Sequence, residues 1–136
     1  MNLAHPLNCL TFNFQRTSRS LVRGFEAAIS HTGLTAPQFT TLGLLSGFGA
    51  LPVSQLADKL GTDRTTVSRN MDLMAAKGWV EVVDLPDQRI RAYALTEDGR
   101  ARVNAALPAW TAYQAKLVAI LGPTFSQDLL QAMAKL

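Results

Sequence analysis

The 136-residue sequence predicts a mainly α fold with a small β-hairpin. Three observations carry that expectation. Apolar residues recur at spacings of three and four through much of the chain, the period of helices buried along one stripe. "WVEVV" and "RAYAL" are the only convincing strand signals, and Pro86 and Asp87 fall between them. Thr, Asp, Gly and Pro stand where helices are expected to start and stop.

Residues 7–30 place Leu7, Leu10, Phe14, Leu21, Phe25 and Ala28 on one stripe of a long first helix that Gly33 ends. In "TAPQFTTLGLL", Thr35 and Gln38 form a capping-box pattern, and Pro37 suits the first turn. "SGFGALP" reads as a loop, and "VSQLADKL" as a short helix stopped by Gly61. A fourth helix is expected from about Asp63 to Lys77, with Thr62 as N-cap and Gly78 just past its end. Trp79 is expected to fold back on Met74. After the hairpin, Thr96 caps a fifth helix whose first turn carries Glu97 and Asp98. Pro108 is expected to kink that helix near Asn104. Thr124 with Gln127 is expected to cap a last short helix.

This order is a helix-turn-helix followed by a two-stranded wing, over about 33–100, within a single domain spanning 1–136. The flanking segments, 1–32 and 101–136, carry more apolar stripe than a lone small domain needs. They are expected to be N- and C-terminal dimerisation helices that interleave in a homodimer.

Composition limits the function classes. The chain is 48% hydrophobic and 17% charged, with a formal charge of +3 and a pI near 9.4. From Val53 to Arg102, eight basic residues meet eight acidic ones, so that stretch is neutral. Binding to a polyanion must therefore rest on which charges share a face. Cys9 is the only cysteine, which excludes an intramolecular disulfide and a CxxC site. His5 and His31 are far apart and form no metal pattern, and no cofactor is implied. "MNLAHPLNCL" lacks a basic n-region, and no run of about 18 apolar residues occurs. A cytoplasmic protein with no membrane partner is expected. Paired carboxylates, a nucleophile with a base and a phosphate-binding glycine loop are all missing, so the chain is not expected to be an enzyme.

The fourth helix carries the functional signal. Turned at about 100° per residue from Arg64 at zero, Ser68 falls near ~40°, Asp72 ~80°, Thr65 ~100° and Arg69 ~140°. Met74, Val67 and Met71 fall at about 280–340° on the same wheel. One face is apolar. The other holds small hydroxyls and two arginines in its first two turns, where a recognition helix meets base edges. Arginine pairs bidentately with guanine, while Ser and Thr reach bases or phosphates. Asp72 is expected to orient Arg69, three residues back. The hairpin tip carries Asp87, Arg89 and Arg91, and Arg89 is expected to lie on phosphate or in a minor groove, with Asp87 holding its guanidinium.

The segments "GLTAPQF", "QLADKLG" and "TTVSRNMDLMAAKGWVE", then Asp84, Asp87 and Arg89 followed by Leu95-Thr96 and Gly99, resemble the MarR family of bacterial winged-helix regulators. The resemblance covers roughly Gly33 to Gly99. It implies a transcriptional regulator, expected to be a homodimeric repressor, bound to a pseudopalindrome in double-stranded DNA. By the same resemblance, Thr62, Arg64, Thr65, Thr66, Ser68 and Arg69 lie on the recognition helix, and Arg89 and Arg91 with their partner Asp87 lie on the wing. It further implies control by a small-molecule effector or an oxidant, acting through a cleft between the dimer helices and the reading head. Candidates for that cleft are Phe12, Arg16, His31, Trp110 and Tyr113.

"LNCLTFNFQRTSR" resembles the first helix of the family's organic-hydroperoxide-sensing branch, whose reactive cysteine would align with Thr11 rather than Cys9. Oxidant sensing is therefore expected to be absent or altered, with Cys9 a small buried hydrophobe on another helix face. His5 is the one nearby group that would lower its pKa. Two competing readings are a redox-responsive regulator using Cys9 and a winged helix used for protein contacts only. The second would present an apolar or acidic reading face, whereas this chain presents Arg64 and Arg69.

Overall fold

In chain order, the computed structural model places a 3-10 turn at Pro6–Asn8, α1 at Leu10–Ile29, a second 3-10 turn at Ser30–Thr32 and α2 at Ala36–Phe48. There follow β1 (Leu51–Pro52), α3 (Val53–Leu60), α4 (Arg64–Ala76), β2 (Val80–Asp84), β3 (Arg91–Leu95), α5 (Glu97–Leu121) and α6 (Pro123–Met133). The structure describes residues 5–86 and 90–136, so Asp87 and Arg89 of the expected wing lie outside the described residues. The chain divides into two compact units, one of residues 30–106 and one of residues 1–29 with 107–136.

In the 30–106 unit, α2 begins as its sequence predicts. Thr35 Oγ1 accepts the Gln38 N–H, and Gln38 Oε1 accepts the Thr35 N–H, so two orphan amides are satisfied reciprocally. The sheet is antiparallel in the order β1-β3-β2, with Leu51 opposite Tyr93, Val82 opposite Tyr93 on the other side, and Asp84 opposite Arg91. The wing is thus three-stranded, and part of "SGFGALP" is strand rather than loop. Two residues are too short to show a period, and β1 exists because β3 offers it an edge. Pro52 is tolerated there because an edge strand need not donate every N–H. Arg91 opens β3 and belongs to the ladder, not to the hairpin tip.

The core of this unit comes from every element: Phe39, Leu42 and Leu45 of α2, Leu56 of α3, Val67, Met71 and Met74 of α4, Tyr93 of β3 and Val103 of α5 are buried. Gly99 sits against this core with no room for a side chain. A Cβ there would lie 2.0 Å from the Trp79 carbonyl oxygen. Thr96 Oγ1 accepts the Gly99 N–H at 3.1 Å and donates to Gly78 O at 2.6 Å, so it caps α5 and ties that helix to the end of α4. This is the physical content of the "LTEDG" motif.

In the other unit, the expected helix over 7–30 is shorter. Pro6 and the extended backbone of Cys9 hold a separate 3-10 turn, and Asn13 Nδ2 donates to both Leu7 O and Cys9 O. Cys9 therefore precedes α1, and it is exposed rather than buried. Tyr113 of α5 donates its hydroxyl to Leu21 O at 2.9 Å, packs 5.9 Å from the Phe25 ring, and would have to shift to admit a Cβ at Gly24. α5 runs through Pro108 as one helix. α6 is capped by Gly122 without a side-chain bond, and Thr124 lies inside the helix rather than at its cap. Pro123 already occupies the first turn, so the helix starts two residues earlier than a Thr124 cap requires. Ile29 is the one buried hydrophobic side chain described in this unit, while Leu10, Ile120, Phe125 and Leu130 among others are exposed.

Candidate nucleic-acid interface

Two helix ends place the reading helix. At the end of α3, Gly61 takes a left-handed conformation with φ of 63°. Gly61 N–H and Thr62 N–H then donate back to Asp58 O and Ala57 O. The end of α4 repeats this arrangement. Gly78 has φ of 74°, Gly78 N–H donates to Ala75 O, and Trp79 N–H donates to Met74 O. These are Schellman closures, and only glycine adopts the left-handed residue without cost. Trp79 does fold back on Met74, and both are buried.

The first closure leads into the N-cap of α4. Thr62 is the residue that follows Gly61 in the α3 closure, and the cap is Asp63, with the extended backbone and side-chain acceptor an N-cap needs, not the expected Thr62. Asp63 accepts the Thr66 N–H at 2.8 Å and the Thr66 hydroxyl at 2.6 Å. The Thr66 hydroxyl and then its backbone N–H hold the Asp63 carboxyl below its usual range. Thr66 is thereby committed to the cap.

The two faces of α4 fall as the angular spacing predicts. Val67, Met71 and Met74 are buried, whereas Arg64, Thr65, Thr66 and Arg69 are exposed and Ser68 is half-buried. Thr62 is exposed in the turn. Among the described residues, neither the Arg64 nor the Arg69 guanidinium has a hydrogen bond or an ion pair. Two outward guanidiniums without partners beside small hydroxyls form a surface able to meet a polyanion closely. Leu73 also stands exposed on this helix.

Asp72 does not orient Arg69. It faces the sheet, accepts the Tyr93 hydroxyl at 3.2 Å, and lies 3.8 Å from an Arg91 guanidinium nitrogen. The Arg91 guanidinium carbon stands 5.3 Å from the centre of the Tyr93 ring. Burial pushes the Tyr93 phenol above its usual range, Arg91 opposes that shift, and the Asp72 carboxylate adds to it. The physical reason is reach: a side chain near ~80° on the helix wheel points along the sheet side, where β3 supplies both a cation and a hydroxyl. This link joins residues 21 apart in sequence, and the alternation of "RAYAL" was its only signal.

The effector candidates separate. Phe12 and Arg16 are exposed on the first half of α1, and Trp110 is partly exposed on α5. Tyr113 lines a cavity within its unit together with Gly24, Ala28, Ala112 and Lys116, and Phe12, Arg16 and Trp110 are not in its lining. His31 belongs to the other unit, where its Nε2 lies 3.2 Å from Ala105 O. Among the described residues no group of three His, Cys, Asp or Glu side chains is placed to hold a metal, and no helix is long and apolar enough to cross a membrane.

A helix-turn-helix closed by glycine, with a cationic outward face and a hairpin behind it, defines the winged-helix class. The family model described as MarR family matches residues 32–90. The M. tuberculosis transcriptional regulator MosR, solved in complex with DNA, is 33% identical over 91% of this chain and 92% of its own, with a TM-score of 0.80. BpsR of Bordetella bronchiseptica, whose DNA binding is regulated by 6-hydroxynicotinic acid, is 25% identical over 96% and 94%, with a TM-score of 0.86. A mutant MarR from E. coli complexed with operator DNA shares the fold at 22% identity and a TM-score of 0.86, covering 99% and 98%. Among curated proteins no match was found. The chain belongs to the MarR family of DNA-binding transcriptional regulators.

Proposed function

We propose that this chain is a cytoplasmic, homodimeric repressor that reads a pseudopalindromic operator with α4 and is released by a small-molecule effector. One observation carries the reading: α4 buries Val67, Met71 and Met74 and leaves Arg64, Thr65, Ser68 and Arg69 on the opposite side, with both arginines unpaired among the described residues. Arg64 and Arg69 contact base edges in the major groove, and Thr62, Thr65 and Ser68 contact phosphates or thymine methyls, while Thr66, its hydroxyl held by Asp63, offers its methyl. Asp87, Arg89 and Arg91 serve the wing. The complex of MosR with DNA supports the partner. Exposed apolar side chains such as Leu130, at 67%, support the dimer, because so many in one unit call for a covering surface. BpsR supports an effector, and the cavity beside Tyr113 and Lys116 is the place to look for it.

The test begins with selection of bound genomic fragments by the purified protein, which yields a site and its half-site spacing. On that site, Arg69→Ala loses about 1–3 kcal/mol of specific binding while nonspecific binding survives. Equal loss on every sequence refutes base reading by Arg69.

A further inference from the structure

Asp72 is the one acidic side chain of α4, exposed at the edge of the helix that meets β3, and a carboxylate beside a phosphate backbone is unfavourable. Its geometry resolves that. The Tyr93 hydroxyl is anchored on Asp72 at 3.2 Å, and Tyr93 itself is only 1% exposed and fixed in β3. Arg91 is held far more loosely, at 3.8 Å, with both side chains of the pair 63% exposed. Arg91 can leave without disturbing the Tyr93–Asp72 bond.

We propose that Asp72 is a positioning residue that stores the wing cation: it holds Arg91 in the free protein and yields it to a phosphate when the duplex arrives. Binding exchanges one ion pair for another, so Asp72 lowers affinity while keeping Arg91 in place beside the reading helix. An exposed pair of this kind is weak, so the exchange is readily reversible.

This inference rests on the DNA reading proposed above, and its test separates the two. Asp72→Asn keeps an oxygen acceptor for Tyr93 and removes the charge. Affinity for the selected duplex should rise roughly two- to fivefold. Arg91→Gln should reduce the slope of log affinity against log salt by about one. In the Arg91→Gln background, the gain from Asp72→Asn should be clearly smaller, because only the repulsion of the phosphates is then relieved. An unchanged or weaker affinity for Asp72→Asn overturns the exchange, as does an equal gain in both backgrounds, which would be plain repulsion. Thermal unfolding of each variant checks that the fold persists. If the wild-type protein retains no duplex, the DNA reading itself fails. If it binds and Asp72→Asn is silent, only the exchange fails.

Discussion

Gly99→Ala is a one-carbon change with a calculable cost. The added Cβ would sit 2.0 Å from the Trp79 carbonyl oxygen and 2.9 Å from Leu95 Cδ2. Ordinary contact lies near 3.4–4 Å, so backbone must move by more than an ångström. That carbonyl accepts the Thr96 N–H at 3.2 Å, and the adjoining bonds of Thr96 to Gly78 and Gly99 share the same few atoms. Overpacking costs about 1–3 kcal/mol, and one weakened hydrogen bond adds about 0.5–1.5 kcal/mol. The expected loss is about 3 kcal/mol, or about 10 °C in melting temperature for a chain of this size. Gly43→Ala is the control: it lies in α2 with nothing within 4 Å of its Cβ position, and should stabilise by about 0.5–1 kcal/mol. Thermal unfolding of both variants at one protein concentration reads the difference. A Gly99→Ala melting temperature within about 2 °C of the wild type would refute the close approach, whatever Gly43→Ala does.

Asp63 titrates below the ordinary 3.8 because the folded state binds its carboxylate form. A lowered acid contributes stability above its unfolded value and loses it as pH falls through the folded one. Removing the cap with Asp63→Ala should therefore destabilise at pH 7 and make less difference below pH 3.8, as paired unfolding curves would show. Leu130→Glu, on an exposed position of α6, should leave the fold intact and shift sedimentation towards monomer; an unchanged mass would remove α6 from the dimer surface.

What was legible in the sequence was local. The Thr35–Gln38 box, the Gly61 and Gly78 stops and the two faces of α4 each depend on residues within a few positions of one another, so spacing alone exposes them. What was hidden depended on distant partners or on competition between neighbours. β1 needs β3 to exist. Thr62 and Asp63 both suit an N-cap, and the helix starts so that Asp63 takes the Thr66 N–H while Thr62 stays in the α3 closure. Asp72 looked local to Arg69, yet its partners come from a strand 19 and 21 residues away. Of the candidate site, the angular pattern delivered the α4 face, while Asp87 and Arg89 fall outside the described residues.

The division of labour in α4 also bears on how such a protein changes over generations. Its hold on the fold comes from Val67, Met71 and Met74, the Asp63 cap and the Gly78 closure, none of which is a proposed base-reading residue. Substitutions at Arg64, Thr65 or Arg69 touch solvent alone and should leave stability within about 0.5 kcal/mol. Operator preference is therefore free to drift while the scaffold stays under selection, so a duplicated copy could acquire a new binding site by a few surface substitutions without passing through an unfolded intermediate.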